Sequence, residues 1–492
     1  MLNKFVALLK KGPFFLWLLP VFFVLHGCME HYDYVPLKDA ALLTGTYLVV
    51  ATGIAALAWL LFRNFTKACL AAASIMAFHF FFGAGYDFLQ KIGNGLFFTR
   101  YTFILPAALI GFIVLFYLIK KRNSGFSRTC YYLNVLLLIF ILVDAAQLAI
   151  KASKPTSVSG LPEGFVSCND CPNPDIYFIL ADEYAGQSEL VTLFGFDNSA
   201  FLNNLRQKGF HIIPESYSNY NYTPFSMASI LNMDYLPLAA GDRNQADLTR
   251  AYSLISNNRL LQFLEQQGYR FYNYSVFDFE GQPGRRLEGF LPVKTRLITS
   301  QTFLSRAENS IFFNLVTRFR SKAALRKVTY APRENNEHIY ALTRAIAAQK
   351  SSRPRFVYTH LEWPHYPYYY DSAGREQPFE KLTEGNQQNQ QAYTSYLQYA
   401  NKRLLELITH IQQVSARPAI IVLMGDHGFR HFTAAVEKKY YFNNLSAIYY
   451  PDRNYRQLLD SLTSVNLFRL LLNQQFRQQL PMARDSMIYL KD

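Results

Sequence analysis

Three places in the 492-residue chain set metal-ligating side chains where a strand should end. Asp182 and Glu183 follow "DIYFILA", His360 lies in "RFVYTHLEW" with His365 five residues on, and Asp426 and His427 follow "AIIVLMG". Carboxylate oxygens and imidazole nitrogens suit Zn²⁺ or Mn²⁺, and ligands drawn from several strand ends can form one compact site. A fourth place, "NYTPFSMASILN", puts Thr223 ahead of Pro224 and an apolar run. It reads as a helix N-cap followed by the first turn. The same geometry offers a phosphate a hydroxyl beside free N–H groups and the positive end of a helix dipole. Taken singly, each piece is ordinary: Asp-His-Gly is turn chemistry, Asp-Glu a solvated strand end, Thr a cap. Their conjunction is what points to a metal site.

The elements that must position these residues alternate. Strand 175–182 precedes a helix over 198–209 and a strand-like stretch over 210–218; a helix over 258–268 precedes strand 269–277; a helix over 333–350 precedes strand 355–363; and a helix over 389–415 precedes the strand from Ala419. Strands alternating with helices give an α/β domain with a largely parallel sheet flanked by helices. Ligands in such folds bind beyond the carboxyl ends of the strands.

Ahead of this region, apolar runs over 14–26, 41–62, 68–86, 102–119 and 131–150 are mostly near the ~20 residues that a bilayer span needs. They predict a five-helix membrane domain over 1–150, a Pro/Gly/Ser-rich linker over 151–174 and a catalytic domain over 175–492. A cleaved signal over 1–28 fits less well, because His26 is a poor residue for a lipidation box and four further runs follow. Lys4, Lys10 and Lys11, then Arg63 and Lys67, then Lys120 to Arg128 mark the cytoplasmic loops. The N-terminus is therefore expected in the cytoplasm and everything after Lys151 outside. Of the net charge of +14, residues 1–154 hold 14 basic against 5 acidic groups. The basicity is thus mainly topological and gives no nucleic-acid site. Cys168 and Cys171, on the oxidising side, are expected to form a local disulfide.

In order and spacing, "PDIYFILADEY", "YNYTPFSMASILN", "HLEWPHYPYYYD" and "IIVLMGDHG" resemble the sulfatase-like branch of the alkaline phosphatase superfamily. With the apolar runs, the chain looks like the membrane-anchored phosphoethanolamine transferases and lipoteichoic acid synthases of that branch. The resemblance implies that Asp182, Thr223, Asp426 and His427 hold one divalent ion, Zn²⁺ or Mn²⁺, rather than two. It further implies that Thr223 is the nucleophile and that His360 and His365 bind the transferred group or, as in two-metal relatives, a second metal. Glu183 is left open, since soluble sulfatases carry two acids there and the membrane transferases typically one Glu. Trp363, with Tyr366 and Tyr368, is expected to line a headgroup or sugar pocket, or else the loop packs on itself. "TPFSM" lacks the Cys or Ser that a sulfatase oxidises to formylglycine, which disfavours sulfate ester hydrolysis. The expected reaction moves a phospho-headgroup from a membrane lipid donor to an envelope glycan or lipid acceptor. A phosphate or phosphonate ester hydrolase is the alternative, and a catalytically inactive envelope scaffold is the weaker one.

Overall fold

A computed structural model describes residues 2–32, 35–93, 96–123, 125–152, 161–168, 170–237, 245–280, 282–285, 295–307, 322–382 and 384–491. Much of the expected linker, 153–160 and 169, lies outside them. Two compact units form, a helical one of Met1–Thr156 with Glu288–Arg320, and an α/β one of Ser157–Leu287 with Ser321–Asp492.

The helical unit contains α1 (Leu2–Lys11), α2 (Phe15–Glu30), α3 (Leu37–Phe62), α4 (Phe65–Gly93), α5 (Tyr101–Lys121) and α6 (Ser127–Ala152). Four of these, α3 to α6, are long and apolar enough to cross a membrane. The expectation of five such helices is corrected to four, because the first run forms only α2. Its 16 residues reach about 24 Å at ~1.5 Å per residue, short of the ~30 Å hydrocarbon core. Even so, α2 is well packed. Phe15, Leu16, Leu19 and Val24 are buried with Leu43, Met76 and Phe80, and Phe23 stacks on Phe80 at 4.2 Å. The buried Asn134 amide donates to the carbonyls of Leu9 and Gly12, tying α6 to the turn ahead of α2.

Two short helices from much later in the chain, Arg296–Thr299 and Phe303–Ala307, also belong to this unit. Ile298 joins its core, Phe303 packs on Phe78 and Phe82, and Arg306 pairs with Asp87 at 2.5 Å. The Gly83 N–H donates to Gln301 O at 2.8 Å. Only glycine permits that approach, since a Cβ there would fall on the Gln301 backbone.

The α/β unit runs β1 (Asp175–Ala181), α7 (Gln187–Phe194), α8 (Ser199–Gln207), β2 (His211–Ile212), β3 (Glu215–Tyr217), α9 (Thr223–Asn232), α10 (Gln245–Ser256), α11 (Arg259–Gln266), β4 (Arg270–Tyr274), α12 (Lys322–Ala348), β5 (Arg355–Leu361), α13 (Gln390–Val414), β6 (Ala419–Gly425), β7 (Ser446–Tyr449), β8 (Ser461–Thr463) and α14 (Leu467–Phe476). The six-stranded sheet has the order β2-β7-β6-β1-β5-β4. Its β6-β1-β5-β4 portion is parallel, and β7 and β2 add antiparallel edges. The stretch expected as one strand over 210–218 is two strands in different sheets, β3 pairing with β8.

Every residue of β1, β5 and β6 is buried, which is why β6, and β1 after Asp175, read as continuous apolar runs, while β5 buries Arg355, Thr359 and His360 among its apolar residues. Ile176, Phe178 and Leu180 face the layer containing α9 and α14. The alternate residues Tyr177, Ile179 and Ala181 face α13. Asn258 caps α11 by accepting from Leu261 N at 2.9 Å. Cys168 and Cys171 form the expected disulfide.

Register then fixes the site edge. Ala181 lies beside Leu361 on one side and Gly425 on the other, so Asp182 and Asp426 leave the sheet together. At the opposite end Asp175 and Arg355 form a fully buried pair, Nη2 to Oδ2 2.6 Å and Nε to Oδ2 3.0 Å. Arg355 also donates to Gln349 O. Removing Arg355 leaves the buried Asp175 carboxylate with only the more distant Arg417 as counter-charge, Nε to Oδ1 3.8 Å. Arg355→Met is therefore expected to destabilise the protein by ~3–5 kcal/mol in denaturant unfolding. A loss under about 1 kcal/mol would mean that the strand starts do not depend on this pair.

Candidate functional site

At the carboxyl edge of the sheet, Asp182, Asp426 and His427 bring one ligand atom each within 4.8 Å of one another. All three are buried. Asp182 Oδ2 is 2.9 Å from His360 Nε2. Asp426 Oδ1 accepts the Glu183 N–H at 2.8 Å, and its Oδ2, like Asp182 Oδ1, has no hydrogen-bond partner among the described residues. His427 Nδ1 lies 2.7 Å from the Gly428 carbonyl. A carbonyl only accepts, so Nδ1 donates, and the neutral ring keeps its Nε2 lone pair for the site. That nitrogen is 3.2 Å from Asp426 Oδ2 and 3.4 Å from Thr223 Oγ1.

The two carboxylates pull apart electrostatically. Burial works against charge on Asp182, yet the hydrogen bond to His360 and the nearby His365, His360 and His427 hold its carboxyl well below the ordinary range. Asp426 moves up, through burial and then the charge of Asp182. With two orphaned carboxylate oxygens and a free imidazole lone pair facing one another, the donor set fits a divalent cation.

Thr223 is the first residue of α9, and Tyr222 occupies the N-cap position expected for it. No side-chain capping bond forms, so the helix does not depend on the Thr223 hydroxyl as a cap. Ser226, one turn on, donates to Asp426 O at 2.6 Å and ties α9 to the end of β6.

Beside this cluster lies a second, formed by Glu183, which sequence reasoning left open, His365, which it expected to bind the transferred group, and His431, which it left unassigned. Glu183 is fully buried and adopts a left-handed backbone, φ 58°. That is a strained conformation for a residue with a side chain. The turn lets consecutive residues serve different clusters. Glu183 Oε1 is 3.3 Å from His431 Nε2 and accepts the Arg430 N–H at 3.2 Å, and Oε2 is 4.0 Å from His365 Nε2. Burial pulls His365 down, but Asp182 and Glu183 outweigh it and leave its pKa raised. At His431 burial wins and the pKa falls. The sequence signal was present in "DHGFRH", where His431 stands four residues beyond His427.

His360, expected to touch the transferred group, and Trp363, expected either to line a pocket or to pack within its own loop, are both buried. His360 is 1% exposed, and its Nε2 is engaged by Asp182, so it stands behind that carboxylate and orients it. Trp363, also 1% exposed, packs among Tyr340, Tyr399 and Arg403. The aromatic loop thus builds core around it. Gly428 is required by close approach: a Cβ there would fall on the carbonyls of Tyr440 and Asn443 and on Glu189. Buried Glu189 accepts the Phe429 N–H at 3.1 Å, and burial with neighbouring Glu183 pushes its carboxyl well up.

Among curated proteins no sequence match is found. Among solved structures, the C-terminal periplasmic domain of EcEptC from Escherichia coli, in complex with Zn, is similar at 11% identity. That likeness covers 68% of this chain and 94% of that one, with a TM-score of 0.43. The putative sulfatase yidJ from Bacteroides fragilis is similar at 16% identity, covering 66% and 78%, TM-score 0.40. The soluble domain of lipooligosaccharide phosphoethanolamine transferase A from Neisseria meningitidis follows at 10%, covering 63% and 90%, TM-score 0.37. The family model for sulfatases matches residues 174–481, more than half of the chain. That match takes in every strand of the sheet and each of Asp182, Thr223, Asp426 and His427, and by it the chain is an enzyme of the sulfatase family, within the alkaline phosphatase superfamily.

Proposed function

We propose that this enzyme is a membrane-anchored, metal-dependent phosphotransferase that moves a phospho-headgroup from a lipid donor to an envelope glycan or lipid acceptor. The observation that carries the reading is the Thr223 hydroxyl at the N-terminus of α9, 3.4 Å from the free nitrogen of His427, beside the orphaned oxygens of Asp182 and Asp426. Asp182, Asp426, His427 and the Thr223 oxygen would hold one Zn²⁺ or Mn²⁺. When bound, such an ion supplies a Lewis acid that makes a hydroxyl easier to deprotonate and offsets charge on a phosphoryl group.

Thr223 Oγ then forms a bond to phosphorus as the bond from phosphorus to the lipid alcohol breaks. The proton that Thr223 loses is matched by one that the departing alcohol gains. An acceptor hydroxyl next attacks the phosphothreonine, gives up its proton and returns Thr223 to its starting form. With water as acceptor the same residues give a hydrolase. His360 holds Asp182 in place, and the exposed edge of His365 faces the transferred group. The absence of Cys or Ser at position 223 speaks for phosphoryl rather than sulfate transfer.

The anchor reading rests on α3 to α6. Basic residues between α3 and α4, and between α5 and α6, place the end of α6 outside by the positive-inside rule, whatever path α2 takes. With four spans the start of α3 lies on the same side as the end of α6, so a cytoplasmic N-terminus requires α2 to cross as a fifth, short span. A reporter after Arg122 should read cytoplasmic and one after Asp492 exported; a cytoplasmic Asp492 would overturn the topology.

The protein is expected to carry about one Zn²⁺ or Mn²⁺, and Asp426→Ala or His427→Ala to lose it, measured by elemental mass spectrometry. Unchanged metal in both variants would remove them from the site, and a stoichiometry near two would assign a second ion to Glu183, His365 and His431. Thr223→Ala should stay folded and metal-bound, because Tyr222 holds the cap position, yet lose essentially all turnover. Incubated with total envelope lipid, the parent protein should gain a covalent adduct on Thr223 by peptide mass analysis, and Thr223→Ala none. Near-normal turnover by folded Thr223→Ala would end the covalent mechanism.

A further inference from the structure

The Arg430 guanidinium lies over the Tyr222 ring, Cζ 4.6 Å from its centroid, and its Nη1 is buried without a hydrogen-bond partner among the described residues. Guanidinium is charged at any accessible pH, so a buried N–H of this kind is costly until an anion takes it. The local acids do not meet that need. Glu183 takes the Arg430 backbone N–H and His431 instead. Tyr222, on which the guanidinium rests, immediately precedes Thr223 and the N-terminus of α9. Two opposite demands therefore stand on either side of one stretch of chain: at Thr223, carboxylate oxygens of Asp182 and Asp426 that lack a cation, and over the preceding residue, Tyr222, a guanidinium nitrogen that lacks an anion.

We propose that Arg430 is a catalytic residue that clamps a non-bridging phosphoryl oxygen of the group attached to Thr223. The inference rests on Thr223 as the nucleophile. Stacking on Tyr222 fixes the plane of the fork before substrate arrives, and the backbone bond to Glu183 fixes its root. The donor is thus aimed in advance at oxygens whose charge grows in the transition state, and it need not reorganise during the reaction. Arg430 neither gives nor takes a proton. Its N–H groups donate throughout, and the bonds made and broken are those of Thr223 and the departing alcohol.

The test uses the full-length protein with its metal, and Arg430→Met, Arg430→Lys and Thr223→Ala. Two probes are read: turnover of bis(4-nitrophenyl) phosphate and binding of inorganic phosphate by calorimetry. With metal content and melting unchanged, Arg430→Met should lower kcat by ~10²–10³-fold and weaken phosphate binding by about tenfold. Added guanidinium ion should restore part of the rate, and Arg430→Lys only part, since an ammonium cannot reproduce the fork. Rescue by guanidinium is a readout that a merely structural role would not move.

The proposal is overturned if Arg430→Met keeps both kcat and phosphate affinity within about threefold of the parent. It is equally overturned if the parent itself does not bind phosphate at millimolar concentration. Should Thr223→Ala lose turnover while Arg430→Met keeps it, the clamp fails and the nucleophile stands. Should Thr223→Ala turn over like the parent, the underlying reading fails, and with it this inference.

Discussion

Two buried carboxylates on neighbouring parallel strands govern this site. The β1–β6 register sets Ala181 beside Gly425, so the chain has no way to separate Asp182 from Asp426 without slipping a strand whose every residue is buried. A slip by one residue would turn each apolar side chain to the wrong layer. Core packing therefore enforces a repulsion that the carboxylates alone would avoid. The protein answers one side of it with His360 on Asp182 and the Glu183 N–H on Asp426. The other oxygen of each acid stays open. The same strands begin differently. Asp175 and Arg355, roughly 20 Å away at ~3.3 Å per residue, close their charges on each other. The sheet is thus electrostatically finished where it starts and unfinished where it ends, and chemistry belongs at the unfinished end.

The left-handed residue at Glu183 extends this logic. By turning there, the chain spends one step of sequence to serve two neighbouring clusters. His427 and His431, from the loop after β6, answer them in the same way, one in each. Strain at such a position persists only where surroundings over-determine it. The Glu183 N–H bond to Asp426 and the Tyr393 hydroxyl bond to the Glu183 carbonyl supply that.

Much of this was legible in the sequence, and the reasons differ by element. Strands β1 and β6 were readable because burial on both faces leaves apolar runs, broken only at Asp175, and β5 through its aromatic and β-branched residues; their polar ends fall where a parallel sheet must gather them. Thr223 was legible as a helix start, though a Thr-Pro pair does not distinguish N-cap from first helical residue, and Tyr222 takes the cap. The stretch 210–218 was not, because β2 and β3 pair with strands more than two hundred residues away. Trp363 stayed open between two readings for a related reason: an aromatic loop looks the same in sequence whether it lines a cleft or fills a core. His431 carried the right chemistry at a helix-like spacing from His427, in a segment that is not helical.

The two short helices around Ile298 and Phe303 have a practical consequence for anyone dividing this protein. They lie in sequence between β4 and α12, yet Ile298 is buried against α2 and Phe303 packs on Phe78 and Phe82 of α4. A piece of chain cut after Thr156 would carry them along and leave their partners behind. Freed in water, Ile298 and Phe303 would become an adhesive patch on an otherwise well-covered fragment, and excising the loop that bears them would do more for its solubility than any change to its charge.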